Sequence, residues 1–434
     1  MKSENHQRKT EYYSCRKAVP VMLKFRLSLL RYFFQGKKYP LFRVSSSEGG
    51  IMKTYEVRKK LKLNKFVRYN NHFYFSLTMP HWPSKAFDHM AANGGLNITA
   101  SGTGIKKQID TAILGITRKC SYKCGHCYEH FNLSDADTVP VTKWKKVISE
   151  LQDSGVSIIT LSGGEPLMRY EDVLEILRSA DHSRSDFHLH TSGSGVTREI
   201  AERFKMAGLH GAGVGLDDCD PDRNDKLRGF TGAHEQAVRA IRCFQEEGIF
   251  TYVNTCLTKE LVNSGELLKY FEFLKELNIG IVRWLEPRPC GGYFDRNQAE
   301  LLNPEEKKII TEFYERANAS ADYRDYPLIS YEAFYEAPEN MGCMMAGNSQ
   351  LYIDTLGNVE PCVFLPVSFG NIMNEDFSDI FKRLREAVPG PLHVICPSIQ
   401  LSSKIKGKKE HGGTMPVPYE EMTEEFELLR RNYV

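Results

Sequence analysis

The chain has 434 residues and a formal net charge of +2 at pH 7. That length allows two or three domains, and so even a charge balance gives no whole-chain case for binding nucleic acid. Eleven cysteines are far too few for a disulfide scaffold of this size, and several stand at metal-binding spacings, which reads as an intracellular protein using thiols for metal. No apolar run reaches the roughly 18–20 residues of a membrane span. The N-terminus lacks an apolar h-region followed by a small-residue cleavage site, so a cytoplasmic rather than a secreted protein is expected.

Residues 1–17 are polar and basic and are expected to be poorly ordered. Residues 18–35 carry a helical amphipathic pattern, with Pro20 suited to a first helical position. Lys24, Ser28, Arg31 and Gln35 share one face, and Leu23, Leu27, Leu30 and Phe34 share another. Lys37 and Lys38 follow, so residues 18–38 are a candidate peripheral membrane contact. The plainer reading is a helix docked on the protein's own fold. Ser45–Gly50 reads as a linker and His72–Leu77 as a strand stopped before Pro80 and Pro83. Met79–Phe87 is aromatic and Pro-rich, either the wall of a substrate path or a covering loop.

From residue 111 apolar runs alternate with amphipathic ones. The spacing predicts strands over 111–116, 156–161, 186–191, 212–216, 250–257 and 280–286. It predicts helices over 142–154, 170–180, 197–207, 233–247, 264–277 and 304–317. Six successive β/α units imply an α/β fold: a partial (β/α)6 TIM-type barrel, whose chemistry belongs on the loops at the C-terminal ends of the strands. After about residue 320 the regular pattern stops. Cys343, Cys362 and Cys396 fall in a Gly- and Pro-rich segment that reads as a separate small domain, followed by a lysine cluster and a helical run over Glu420–Arg431.

Two motifs stand on the predicted rim. Cys120-Ser-Tyr-Lys-Cys124-Gly-His-Cys127-Tyr128 follows the first strand. Three thiols on one loop can hold three irons of a [4Fe–4S] cluster and leave the fourth iron open to a ligand. The second strand ends in Gly163-Gly164-Glu165-Pro166, where the glycines admit close backbone approach and Glu165 offers a carboxylate to an ammonium group. Zinc is the competing occupant of the cysteine loop, with His126 as a ligand, but a zinc site has no use for the glycine-rich turn.

The cysteine loop and the Gly163–Pro166 turn together resemble the radical S-adenosylmethionine enzymes. The resemblance implies that the open iron chelates S-adenosylmethionine and that the turn contacts the methionyl ammonium. It further implies that the reduced cluster cleaves S-adenosylmethionine to methionine and a 5′-deoxyadenosyl radical, which takes a hydrogen atom from the substrate. Gly215-Leu216-Asp217-Asp218 with Asp225–Gly229 resembles the fourth-strand segment of the branch that modifies peptides and proteins, and Thr251–Thr255 resembles its fifth strand. Carried onto this chain, the resemblance makes Tyr128, Gly163, Gly164, Glu165, Pro166, Ser192, Arg228 and Asn254 candidates for cofactor binding. Tyr128 is the expected neighbour of the adenine, and Thr191-Ser192-Gly193 stands where relatives often carry Thr-Asn-Gly.

Cys343 and Cys362 enclose Gly357 in a C-x13-G-x4-C hairpin with Leu356-Gly357-Asn358 as its turn. The hairpin resembles the start of the SPASM and twitch auxiliary-cluster domains. With only Cys396 following, the match is to the shorter, twitch-like form with one further [4Fe–4S] cluster. Its fourth ligand is left open between Cys290, another residue type, the substrate, or nothing.

Asp217 and Glu286 are the catalytic candidates. Asp217 either touches the ligand or caps the loop Asp218–Asp222, and Glu286 with Arg288 either faces substrate or forms a surface ion pair. Cys219, Cys243 and Cys256 read as small buried hydrophobes, and His188 and His190 as the polar lining of a barrel. The expected division is an N-terminal extension over 1–110, the barrel over 111–325, an auxiliary-cluster domain over 326–402 and a tail over 403–434. The expected function is hydrogen abstraction from a peptide or protein side chain in a maturation pathway, with electrons from a small protein such as ferredoxin or flavodoxin. The alternatives are a membrane lipid or lipid-linked substrate, and a non-catalytic iron–sulfur or zinc scaffold.

Overall fold

The computed structural model describes residues 10–34, 65–92, 109–295, 300–340, 342–343, 349–389, 392 and 394–431. The Ser45–Gly50 linker lies outside them. Three short strands, β1 (Glu11–Tyr13), β2 (Phe66–Tyr69) and β3 (His72–Tyr74), form a small antiparallel sheet. The central sheet is built on β4 (Thr111–Thr117), β5 (Ile158–Gly163), β6 (Asp186–Thr191), β7 (Gly211–Gly215), β8 (Phe250–Cys256) and β9 (Ile281–Leu285). These six are parallel and pair in chain order. Their near-continuous apolar runs are buried on both faces, as a parallel sheet under crossover helices requires. The crossover helices include Val141–Asp153, Tyr170–Ser179, Arg198–Met206 and Ala233–Glu246. Thr197 caps the third of these through its side chain, and Asn303 with Glu306 forms a capping box at Pro304–Ala319.

The sheet extends past the six expected strands on both sides. β10 (Leu328–Tyr331) lies parallel to β9, and β11 (Gln350–Ile353) lies parallel to β4. The β/α pattern therefore does not stop at residue 320. β10 escapes a periodicity reading because it is only four residues long and is flanked by Pro327 and a four-residue helix, Glu332–Tyr335. β11 turns back through Gly357 (φ +90°) into β12 (Val359–Glu360), which is the expected hairpin. Asp354 closes that turn by accepting from the backbone N–H groups of Leu356 and Asn358 at 2.9 and 2.7 Å. The second cysteine segment is thus not a separate body: its first strand is part of the barrel sheet. The tail joins the same region, with Tyr419 and Phe426 packed on Phe369.

The N-terminal extension covers the floor of the barrel, where the strands begin. Tyr74 stacks on Phe250 at 3.7 Å between ring centroids, Tyr12 Oη donates to the Ile279 carbonyl at 2.7 Å, and His81 Nδ1 lies 2.6 Å from Asp186 Oδ2. Met79–Phe87 is therefore mainly a cover for the floor, though the neighbouring Thr78 reaches the internal cavity. Residues 10–13 are ordered, against the expectation of a loose terminus: Thr10 bonds Asn278 and β1 pairs with β2. The amphipathic helix runs over Cys15–Phe34, one turn earlier than expected, which puts Pro20 inside it rather than at its first position. Ala18, Val21, Met22 and Phe25 pack on an aromatic cluster that includes Phe66, Phe75, Trp82 and Phe87.

Burial on this floor has a pH consequence. Burial holds His188 at about 3 and His210 at about 4, against an ordinary value of 6.5. As pH falls from about 6.5 the unfolded chain takes up protons that the folded chain refuses, so stability declines toward pH 4 at up to about 1.4 kcal/mol per pH unit for His188. The urea midpoint should fall between pH 6.5 and pH 5, and His188→Gln should flatten that fall. A midpoint equally pH-independent in both proteins would contradict the buried neutral histidine.

Candidate functional site

The cysteine loop leaves β4 at the C-terminal rim. Asp137 Oδ1 fixes its root, accepting from Thr117 Oγ1 and the Arg118 N–H, each at 2.8 Å. Glycines from three other loops then press against its backbone. A Cβ on Gly164 would lie 2.2 Å from the Lys119 carbonyl oxygen, and one on Gly229 2.4 Å from that of Lys123. Cβ atoms on Gly291 and Gly292 would lie 2.1 and 2.4 Å from the carbonyls of Cys127 and Gly125. Glu165 N–H donates to the Lys119 carbonyl at 2.7 Å and Gly292 N–H to that of Cys127 at 2.8 Å. The result is a cradle that any side chain at these positions would fill, and it holds the three thiols around one internal space.

That space is a cavity of about 260 Å³. Cys120, Cys124 and Cys127 line it beside Tyr128, Gly163 and Gly164, and so do Cys343, Cys362, Cys396 and Cys290. Both thiol sets therefore face a single chamber. Among the described residues no three His, Cys, Asp or Glu side chains converge on one ion-sized point. The C-x3-C-x2-C loop itself suits a cluster whose irons each take one thiolate. Burial pushes the thiols up, Cys120 to about 11, while Arg228 pulls Cys124 the other way. The chain alone thus keeps these thiols protonated, and a bound cluster would be what ionises them. The residues fit the cluster and its ligand, so the cysteines, the Gly163–Gly164 backbone and Ser192 are the groups that would hold them.

Glu165 and Pro166 stand elsewhere than expected. Neither lines the cavity. Glu165 is 1% exposed and accepts from Thr191 Oγ1 (2.7 Å), Leu167 N–H (3.1 Å), Ser192 N–H (2.8 Å) and Ser192 Oγ (2.5 Å). Its oxygens are committed to orienting the Thr191–Ser192 turn and the first turn of the Pro166–Arg169 3₁₀ helix. The part of the turn that lines the cavity is the Gly163–Gly164 backbone. Tyr128 does line the cavity, with its hydroxyl 2.6 Å from Ser162 Oγ.

β7 supplies the room for a polar interior. Its inward residues are all glycine: a Cβ on Gly211 would meet His188, one on Gly213 would meet Tyr252 and Asn254, and one on Gly215 would meet Arg228. Arg228 Nε crosses that gap to donate to Asp217 Oδ2 at 2.6 Å, and Cys256 N–H donates to Asp217 Oδ1 at 2.8 Å. Asp217 is thus a buried partner for Arg228. The capping role beyond it falls to Asp218 and Asp220 instead. Asn254 presents a buried Oδ1 that has no hydrogen-bond donor. Cys256, expected to be purely structural, also lines the chamber, whereas Cys219 and Cys243 pack against the core.

On the opposite wall Glu286 and Arg288 form a buried pair, 6% and 9% exposed, not a surface one. Arg288 Nη1 and Lys307 Nζ lie 3.1 and 3.3 Å from Glu286 Oε2, and Tyr331 Oη donates to Oε1 at 2.5 Å. Burial raises this carboxyl, but the two cations outweigh it and hold it below the ordinary range. Arg283, Glu332 and Glu336 join the same wall, and sequence reasoning missed all three. The signal was slight: a lone arginine inside an apolar strand, and two glutamates four residues apart after a strand too short to detect.

Gly164→Ala should lower the iron bound after reconstitution several-fold, because its Cβ meets backbone that cannot step aside. Gly407→Ala, with nothing within 4 Å of its added Cβ, should leave iron unchanged. Iron and sulfide analysis of the two variants checks this, and equal loading would remove the close-approach argument.

The sequence matches the profile of the radical SAM superfamily over residues 114–274 and that of SPASM, an iron–sulfur cluster-binding domain, over 343–391. A relative in Methanosarcina barkeri, "AdoMet-dependent heme synthase", is 29% identical over 300 residues, spanning 62% of this chain and 83% of its own. The "PqqA peptide cyclase" of Rhizobium meliloti is 25% identical over 273 residues, spanning 61% and 72%. The crystal structure of Streptococcus suis SuiB bound to precursor peptide SuiA superposes with a TM-score of 0.53 at 16% identity, over 84% of this chain and 77% of that one, a likeness of fold. The α/β barrel with its parallel sheet, the cysteine loop and the second thiol set on one chamber accord with these matches, and the chain belongs to the radical S-adenosylmethionine superfamily, with a SPASM domain at its C-terminal side.

Proposed function

We propose that this radical S-adenosylmethionine enzyme abstracts a hydrogen atom from a side chain of a peptide or protein in a maturation pathway. The observation that carries the reading is the single chamber shared by Cys120, Cys124 and Cys127, the Gly163–Gly164 turn and the second thiol set. When bound, the reduced cluster delivers one electron, and S-adenosylmethionine leaves as methionine and 5′-deoxyadenosine, whose added hydrogen comes from the substrate. The chain's own part is positional. Gly163 and Gly164 offer backbone to the methionyl end, Ser192 is aimed by Glu165, Tyr128 and Asn254 face the nucleoside, and Arg228, fixed by Asp217, sets the field beside Cys124. Cys343, Cys362 and Cys396 hold the auxiliary cluster, and a small iron–sulfur or flavin protein such as ferredoxin or flavodoxin supplies the electron. The working units are the extension over 1–110, the barrel over 111–325, the auxiliary-cluster region over 326–402 and the tail.

The PqqA peptide cyclase relative supports a peptide substrate. The heme synthase relative favours a tetrapyrrole as the competing substrate. Reconstitution with iron and sulfide, then dithionite and S-adenosylmethionine, should yield 5′-deoxyadenosine; none from a chain with full cluster absorbance would end the proposal.

A second reading concerns the Cys15–Phe34 helix. Val19, Leu23 and Leu27, three to four residues apart, are more than half exposed, with Lys17 and Lys24 beside them. We assign this outer face to an anionic membrane surface, which suits a lipid-linked substrate. Among the described residues no helix is long and apolar enough to cross a membrane. Flotation with phosphatidylserine vesicles should carry the intact chain upward, and Leu23→Glu with Leu27→Glu should abolish it; a chain that stays in the soluble fraction rules this contact out.

A further inference from the structure

The wall formed by β9 and β10 carries charges that the cofactor-binding residues leave unused. Arg283 on β9 points inward. Its Nε lies 3.2 Å from Glu332 Oε1 and its guanidinium carbon 5.8 Å from the centre of the Tyr252 ring. Glu332 Oε1 also accepts from Ser330 Oγ at 3.2 Å, while Glu332 Oε2 is buried with no donor. One helical turn on, Glu336 Oε1 is likewise buried with no donor. Both residues line the chamber. Glu286, the third carboxylate on this wall, is fully occupied by Tyr331, Arg288 and Lys307.

Two carboxylate oxygens held away from water without a donor are costly, and more so when they carry a charge. The wall has already drawn in two guanidiniums, Arg283 and Arg288, and these oxygens still lack a partner. Burial keeps the carboxyls above their ordinary range, Glu336 at about 8. An incoming donor with a positive charge would satisfy both oxygens and hold the two carboxylates ionised. Anionic groups would meet three carboxyls here and two arginines, one of them already committed to Glu286 and the other to Glu332.

We infer that Glu332 and Glu336 form an anchoring subsite for a cationic group of the substrate, the ammonium or guanidinium of a lysine or arginine side chain in a peptide. This rests on the peptide reading above and narrows it. The subsite lines the same chamber as the Gly163–Gly164 turn, so a basic residue bound there would fix the register of the chain relative to the abstracting centre. The two glutamates are positioning residues.

The test uses the full-length reconstituted chain with S-adenosylmethionine bound, and isothermal calorimetry as its readout. The probes are four capped tripeptides, alanine-X-alanine with X lysine, arginine, norleucine or glutamate, together with coproporphyrin III as a tetracarboxylate. The lysine and arginine peptides should bind at least tenfold more tightly than the norleucine peptide, and Glu336→Gln or Glu332→Gln should remove most of that preference while S-adenosylmethionine binding stays unchanged. Equal affinity for lysine and norleucine, or tighter binding of the glutamate peptide or the porphyrin, overturns the subsite. So does a lysine preference that survives the double glutamine variant. The wild-type comparison of lysine with norleucine stands even if a variant fails to fold. Formation of 5′-deoxyadenosine, followed in parallel, separates the two levels: its presence without a cation preference refutes this subsite alone, and its absence refutes the enzymatic reading beneath it.

Discussion

Close backbone approach is the constraint on which the site depends. Three loops from different strands converge on the segment Lys119–Cys127, and each reaches it with a glycine where a methyl group would collide. Carbon packs against carbonyl oxygen in the space a side chain would have taken, and the hydrogen bonds from Glu165 and Gly292 lock that contact. Such contact is possible only if the strands bearing these loops are parallel and in register, so that their C-terminal ends lie at one height. The apolar runs that build the sheet are therefore also what aligns the thiols.

The second organising feature is how the interior handles charge. A buried charge is tolerable when it is paired, and the barrel interior obeys this at several points: Asp217 with Arg228 and Glu286 with Arg288 and Lys307 around the chamber, and Asp186 with His81 on the floor. The glycines of β7 create the volume for the longest of these reaches. Pairing is incomplete at Asn254 Oδ1, Glu332 Oε2 and Glu336 Oε1, and these three residues line the chamber.

Much of this was legible in the sequence, for physical reasons that differ from part to part. Fully buried parallel strands write themselves as apolar runs such as Ala112–Ile116, and thiols at fixed spacing or paired glycines are local signals. What eluded reading was non-local or short. Glu165 looked free because its four donors come from Thr191, Ser192 and Leu167, brought together only by the fold. The Leu328–Tyr331 strand is too brief to show a period, and Glu332 and Glu336 gain meaning only beside Arg283. Leu23 and Leu27 looked like the docking face of their helix, but Ala18, Met22 and Phe25 do the docking, because small and aromatic residues fit the aromatic cluster beneath.

The pairing of β11 with β4 has a mechanical consequence. The hairpin between Cys343 and Cys362 begins in a strand hydrogen-bonded to the very strand that launches the Cys120 loop, with Gln350 opposite Thr111 and Ile353 opposite Leu114. A ladder of this kind does not flex like a linker. The start of the second thiol segment is consequently tied by hydrogen bonds to the strand that carries the first, so a displacement of one is felt directly by the other.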